Sequence, residues 1–316
     1  MIPFKKLNLA DKDLIERFIT KSGRRTADML FANMYGWRHV TNVHYAIVEG
    51  MLVLRYEMKG SFTYSLPMGN GNLRFVLMQM LEDAQTMRFK CRIFGIPENS
   101  KADVECAMPG HFDFVADEAS ADYLYTRESL VSLKSESLSA KKSLVDKFFE
   151  LYPEARYVEL TEELASKCKG LAKKWNNEQM VENAYISKVD EYDYTICLLD
   201  NFVALGLKGG AIMIGDEVVA FTLGGYICNT TFNVCVEKAD ASYEGIYAAV
   251  NQAFAASLSD DCLYVNRESD MGVESIRKEK RSYEPKEILV KWMAVPRLTY
   301  GQSIFYNNED MVPSMS

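Results

Sequence analysis

The run Leu263-Tyr-Val-Asn266-Arg267-Glu268-Ser-Asp270-Met-Gly272 places an amide, a guanidinium and two carboxylates at the end of an apolar stretch. On a strand, Leu263, Val265 and Arg267 share one face, and Tyr264, Asn266 and Glu268 share the other. Same-face neighbours stand ~6–7 Å apart, so Asn266 and Glu268 can approach one substrate. Glu268 is then a candidate general base, and Asn266 a candidate group for positioning an acyl carbonyl or an acceptor. The plainer reading is a polar strand end, with Asp270 capping the next helix, and the cap is the expectation for Asp270. Downstream, Val273, Ile276, Arg277, Lys280 and Tyr283 fall on one helical stripe. A stripe packed on a core holds cations only where they are paired or bind a ligand. Pairing of Arg277 with Glu268 or Asp270 and capture of a ligand phosphate or carboxylate by Arg277 and Lys280 both stay open. Tyr283 is the candidate acid for a leaving group.

A second signal is Asn233-Val-Cys235-Val-Glu237-Lys238, followed by Ala-Asp-Ala-Ser-Tyr243-Glu-Gly245-Ile-Tyr247. Parity puts Asn233, Cys235 and Glu237 on one strand face, with Glu237 near its end as a second candidate base. The turn that follows, with Gly245 opening a helix, could offer free N–H groups to a phosphate. Lys238, Gly245 and Tyr247 are therefore candidate donor- or anion-binding residues, against a purely structural turn. In the first half, Pro67-Met68-Gly69-Asn70-Gly71 occupies the corresponding place. It serves either as an amide-lined anion site or as a turn needing positive φ, the latter being the expectation. Single replacement of Glu237 or Glu268 by Gln is expected to lower activity with the melting temperature nearly unchanged.

Composition narrows the classes. The chain has 316 residues, 48% of them apolar and 25% charged, which excludes disorder and low complexity and leaves room for two domains. Lys+Arg 36 against Asp+Glu 44 gives a net charge of −8, so no global basic field invites nucleic acid or an anionic membrane, DNA is not expected as a partner, and any anionic ligand must be held by a local arrangement of cations and amides. No apolar stretch reaches the ~20 residues of a spanning helix, and the first residues lack a signal-peptide core. The seven cysteines are scattered without a CxxC and read as reduced thiols of a cytoplasmic protein. His39, His44 and His111 form no metal-ligand spacing, so no metal is expected. The Phe31–Trp37 segment reads as core packing, and Lys141-Lys142 with Lys134 and Lys147 as a solvated patch or a contact for tRNA phosphates.

Periodicity supplies the elements that must position these residues. The first half reads as a strand (4–9), helices (11–22, 26–37), strands (43–48, 52–58, 62–66), a helix (73–87), a strand (89–95), a short helix (99–108) and a strand (111–116). The second half repeats the order: 157–160, helices 161–176 and 191–205, strands 210–214, 218–226 and 231–236, helix 245–258, strand 263–266, helix 271–283 and strand 288–294. This repeated order resembles the GCN5-related N-acetyltransferase (GNAT) fold. The expectation is an α/β (α+β) chain of tandem GNAT-like (acyl-CoA N-acyltransferase) domains with mixed, mainly antiparallel sheets. Residues 1–152 would form the N-terminal domain with its linker, and 153–316 the C-terminal domain carrying the active cleft. The Arg/Gln-x-x-Gly-x-Gly/Ala run with which a GNAT holds CoA is missing at 238–245.

Together, Phe31-Ala-Asn-Met-Tyr-Gly-Trp37, Pro67-Met-Gly69, Asp122-Tyr-Leu-Tyr125, Ala220-Phe-Thr-Leu-Gly224, Glu237-Lys238-Ala239, Gly245-Ile-Tyr247 and Asn266–Gly272 with Arg277, Lys280, Ser282-Tyr283 and Pro285 resemble the C-terminal domain of bacterial phosphatidylglycerol lysyltransferases. The resemblance implies a soluble transferase that moves an acyl or aminoacyl group to an amine or hydroxyl. The donor would be acyl-CoA or aminoacyl-tRNA, with no permanently bound cofactor. The acceptor would be a small molecule, a peptide or a lipid headgroup. The alternative is a non-catalytic module of the same fold that binds a small anionic metabolite or a protein partner.

Overall fold

Apolar residues alternate through 43–66, and in the computed structural model, which describes residues 1–178 and 188–297, that stretch is a meander. In chain order the strands are β1 (Lys5–Lys6), β2 (His44–Val48), β3 (Met51–Met58), β4 (Ser61–Ser65), β5 (Met68–Gly69), β6 (Ile93–Pro97), β7 (Phe112–Thr126), β8 (Arg156–Glu159), β9 (Lys208–Ile214), β10 (Glu217–Cys228), β11 (Thr231–Ala239), β12 (Tyr264–Asn266) and β13 (Glu287–Pro296). The helices are α1 (Lys12–Ser22), α2 (Phe31–Gly36), α3 (Arg38–Thr41), α4 (Leu73–Thr86), α5 (Lys101–Ala107), α6 (Arg127–Ser132), α7 (Ser139–Leu151), α8 (Glu162–Glu178), α9 (Lys188–Asp200), α10 (Ile246–Ser257) and α11 (Glu274–Arg281).

The chain divides into two compact units. Of the described residues, the first takes 1–24, 37–121 and 289–297; the second takes 25–36 and 122–288. In the first unit β1, β2, β3 and β4 run antiparallel in that order. After the crossover helix α4, β6 adds to β4 in parallel, and β13 pairs antiparallel with β6. Its core gathers Val53, Tyr64, Val76, Met80, Ile93 and Phe112 among others. In the second unit β8, β9, β10 and β11 are antiparallel, and α10 crosses over to the parallel strand β12. The end of β7 then pairs antiparallel with β12. Each unit thus has an antiparallel meander followed by a parallel strand reached through a helix, the expected GNAT-like order.

Local signals explain the element ends. Thr161 Oγ1 accepts the Leu164 N–H at the start of α8, as a capping threonine should. The expected strand at 89–95 pairs only from Ile93, where it meets Tyr64. Helix α11 begins at Glu274 rather than 271, because Met271 (φ 53°) and Gly272 (φ 72°) are left-handed. Its N-cap is Val273, so Asp270 does not cap it, contrary to the sequence expectation.

The β11–β12 pairing is short, joining only Thr231–Tyr264, Phe232–Val265 and Asn233–Asn266. Beyond that point β11 continues to Ala239 while the chain after Asn266 turns away, so the strands part just past the two asparagines. Gly224 sits behind them at a bulge in β10, and a Cβ there would lie 1.8 Å from the Asn233 carbonyl oxygen. Gly224→Ala must displace backbone, and a loss of about 1–3 kcal/mol or more is expected. An unchanged urea midpoint would show that β10 and β11 are not held this tightly.

Candidate functional site

The turn after β12 is built around Glu268, whose φ of 58° is left-handed. For a non-glycine residue that conformation costs about 1–2 kcal/mol and persists only where neighbours over-determine it. Here they do. Asn266 Oδ1 accepts the Glu268 N–H at 2.7 Å, and the Tyr123 N–H donates to the Glu268 carbonyl at 3.1 Å. Lys280 Nζ donates to the carbonyls of Arg267, Glu268 and Ser269. Asn266 is itself fully buried, donating to Arg25 O at 2.9 Å and Asp122 Oδ2 at 3.1 Å. It therefore shapes the turn from behind and does not share an open face with Glu268.

The Glu268 carboxyl enters a polar cluster. Asn33 Nδ2 from α2 donates to its Oε1 at 2.8 Å, and Asn233 Nδ2 from β11 donates to the same oxygen at 2.6 Å. Tyr194 OH, from α9, donates to Asn33 Oδ1 at 2.6 Å and so fixes which way that amide points. Burial pushes the Glu268 pKa above the usual carboxylate value, opposed by the two asparagine hydrogen bonds and reinforced by Asp122.

Glu237 has a different setting. Its Oε1 pairs with Arg267 Nη2 at 3.0 Å, its Oε2 accepts from Asn251 Nδ2 at 3.2 Å, and its side chain is 14% exposed. Arg267 lies 4.8 Å from the Tyr283 ring centroid and 5.8 Å from that of Tyr125. Tyr283 is 2% exposed and belongs to the core with Tyr125 and Phe232, where burial raises its phenol pKa. The ion pair joins β11 to the β12 turn where the two strands part. Among the described residues Asn233 Oδ1, Asn251 Oδ1 and Arg267 Nη1 are buried and have no hydrogen-bond partner, a feature that calls for a functional or structural explanation.

The candidate anion-binding cations are each engaged within the protein. Arg277 pairs with Asp270 through Nε at 2.7 Å, and Asp270 also accepts from Tyr123 OH at 2.7 Å and Gly272 N at 2.8 Å. Burial, which would raise the Asp270 pKa, is outweighed by these partners, and the carboxyl lies below its ordinary value. Lys238 pairs with Glu191 and sits 3.2 Å from the Trp175 ring centroid. Trp175 Nε1 donates to Tyr247 OH at 3.0 Å, and that hydroxyl donates to Ala239 O at 3.3 Å.

The turn before α10 carries its own anion. Asp240 Oδ1 accepts from Ser242 N at 3.0 Å and Ser242 Oγ at 2.6 Å, while Oδ2 pairs with Lys174 at 2.5 Å. Burial pushes this carboxyl up, but Lys174 and Ser242 prevail and hold it ionised below the usual range. Gly245 follows with φ 84°, next to Glu244, which pairs with Lys147. In the first unit, Cβ atoms at Gly69 and Gly71 would lie 2.5 Å and 2.2 Å from the carbonyl oxygens of Gly50 and Glu49. Those glycines admit a close backbone crossing, with Gly69 at φ 138°.

Sequence reasoning missed Asn33, Tyr194 and Asn251 as partners of the two carboxylates. Asn33 stands inside an aromatic segment that reads as core, and nothing in that segment signals a partner for its amide.

Comparison with known proteins places these observations in a family. Residues 20–295 match the model of the phosphatidylglycerol lysyltransferase C-terminal family. A crystal structure of a conserved protein of unknown function from Bacteroides thetaiotaomicron is 38% identical, with a TM-score of 0.89, over 94% of this chain and 100% of that one. The structure of L-PGS from Bacillus licheniformis superposes with a TM-score of 0.64 at 11% identity, covering 93% of this chain and 95% of that one. A tandem GNAT protein from the clavulanic acid biosynthesis pathway gives 0.51 at 11% identity, covering 95% and 100%. These last two likenesses are of fold, and the fold is that of tandem GNAT proteins. An uncharacterised protein of Mycoplasmoides gallisepticum is 24% identical over 196 residues, and the match spans 61% of this chain and 59% of that relative. Among the described residues no helix is long and apolar enough to cross a membrane.

Proposed function

This chain belongs to the phosphatidylglycerol lysyltransferase C-terminal family, and from that premise we propose that it is an aminoacyltransferase whose active site is the Glu268 turn of the second unit. The observation that carries this reading is a carboxyl of raised pKa, fixed in a strained left-handed turn by Asn266 and Lys280 and steered by Asn33 and Asn233. Strain and a shifted pKa at one residue are the marks of a group kept for chemistry.

In this reading Glu268, ionised, takes the proton of an acceptor hydroxyl or amine as that atom bonds to the carbonyl carbon of an aminoacyl ester. The ribose oxygen then leaves the carbonyl carbon and recovers the proton from Glu268, so the carboxylate is regenerated. Asn33 and Asn233 hold the carboxyl, and the Arg267–Glu237 pair joins the two strands beside it.

The donor favoured by the geometry is aminoacyl-tRNA. A CoA pyrophosphate would need the amides of the turn before α10, yet Asp240 occupies the Ser242 amide and adds a negative charge beside Glu244. The family name points to a lysyl group and a lipid hydroxyl as the pair to try first. The alternative, a module that binds a small anion, draws less support because Arg277, Lys238 and Lys280 are engaged with Asp270, Glu191 and backbone carbonyls.

Incubation with tRNA charged with radiolabelled amino acids, in the presence of phosphatidylglycerol vesicles or a primary amine, should move label from tRNA into product. Acetyl-CoA and longer acyl-CoAs should donate nothing. Transfer from acetyl-CoA with none from charged tRNA would overturn the donor assignment. Stabilisation by a free amino acid or nucleotide, with no transfer from either donor, would favour the binding module.

A further inference from the structure

Helix α11 presents two cations to the turn that carries Glu268. Lys280 and Arg277 are three positions apart and so lie on the same helix face. Arg277 grips the Asp270 side chain, at the far end of the turn. Lys280 reaches the backbone itself, with Nζ donating to Arg267 O, to Glu268 O at 3.1 Å and to Ser269 O at 2.6 Å. An ammonium has three hydrogens, so each is assigned to one carbonyl and none remains for a ligand. Three consecutive carbonyls can converge on one cation because Glu268 is left-handed, which folds the chain around the ammonium. An extended strand would send successive carbonyls to opposite sides.

We propose that Lys280 is the positioning residue of this site: its ammonium holds the 267–269 carbonyls and thereby keeps Glu268 in the left-handed conformation that presents its carboxyl to Asn33 and Asn233. The inference rests on the reading of Glu268 as the reacting carboxyl, and it moves Lys280 from holding a ligand anion to shaping the base. The charges facing Lys280 are Arg267, which repels it, and Glu268, Asp122 and Asp270, which attract it. The Tyr123 ring centroid is 5.8 Å away. Burial, with the neighbouring Arg267, lowers the Lys280 pKa to about 8. Above that pH the neutral amine keeps two N–H groups for three carbonyls, and the clamp loosens.

The test uses the full chain with 13C-labelled glutamate, in which the Glu268 carboxyl resonance is identified by its loss from Glu268→Gln. In the wild type this resonance should show a second titration step near pH 8, as the clamp loosens. In Lys280→Met that step should vanish, and transfer at pH 7 should fall by about 100-fold in kcat with KM little changed, the loss expected of a misplaced reacting group. A Lys280→Met protein that folds and keeps both the wild-type Glu268 carboxyl shift and the wild-type kcat overturns the proposal. If Lys280→Met does not fold, Lys280→Arg decides: a planar guanidinium cannot seat between three converging carbonyls, so an unchanged Glu268 carboxyl shift in that variant overturns the proposal. The titration needs no transfer, so normal transfer by Glu268→Gln would end the proposed function while leaving the clamp to be judged on its own signal.

Discussion

Glu268→Gln should lower the transfer rate by about 10²–10⁴-fold, the usual contribution of a general base. The fold should survive, because the Gln amide oxygen, Oε1, can still accept from Asn33 and Asn233 as the glutamate oxygen does. Stability carries an independent sign. The Glu268 pKa is raised in the folded protein above its ordinary 4.5. Its contribution is therefore fully present below pH 4.5 and is lost as pH rises through the folded value. Glutamine never ionises and so never incurs that loss. Calorimetry of the two proteins should show equal melting temperatures near pH 4 and, in place of the nearly unchanged melting expected from the sequence, a variant that melts higher at neutral pH. A variant that melts lower at neutral pH, by the same margin at every pH, would mean that Glu268 acts by packing rather than as a titrating group.

Arg267→Met is expected to destabilise the second unit severely. Arg267 and Glu237 are 13% and 14% exposed, and losing one partner of so buried a pair leaves the other charge uncompensated. Such breaks cost about 3–5 kcal/mol, whereas replacing both charges can be nearly neutral. The double variant Arg267→Met with Glu237→Gln should recover most of the loss in urea denaturation. The same reasoning corrects the expectation that Glu237→Gln leaves melting unchanged, since that substitution strands the guanidinium. A double variant less stable than Arg267→Met would show that the pair is not coupled as the geometry indicates.

Much of the architecture was legible because periodicity survives burial. The meanders, the crossover helices α4 and α10 and the parallel strand after each can be read from alternating and helical spacing. The site was legible in its residues more than in its arrangement. Asn266, Arg267, Glu268 and Asp270 stand out as polar groups ending an apolar strand. Parity then fails, because β12 spans only Tyr264–Asn266 and Glu268 turns left-handed. Arg267 consequently finds Glu237, and Glu268 finds Asn233, a crossing that alternation along two regular strands does not give.

Partners distant in sequence were beyond reach for a different reason. Asn33 lies 235 residues from Glu268, and nothing in the local pattern of an aromatic helix marks one amide as facing a carboxylate. The cations on the α11 stripe could be recognised as anomalous, since an apolar stripe tolerates charge only with a partner. Which partner they take depends on the turn at 267–272, whose left-handed residues include Glu268 and Met271, types that rarely adopt it.

Whether Glu268 is the reacting base is decided by a single-turnover pH profile for transfer from charged tRNA, run on the wild type and on Glu268→Gln. The wild-type rate should rise with pH through one ionisation above 4.5 and fall again near pH 8 as the Lys280 clamp loosens, and the variant should show a low rate without that rise. A variant whose profile overlays that of the wild type would contradict the account.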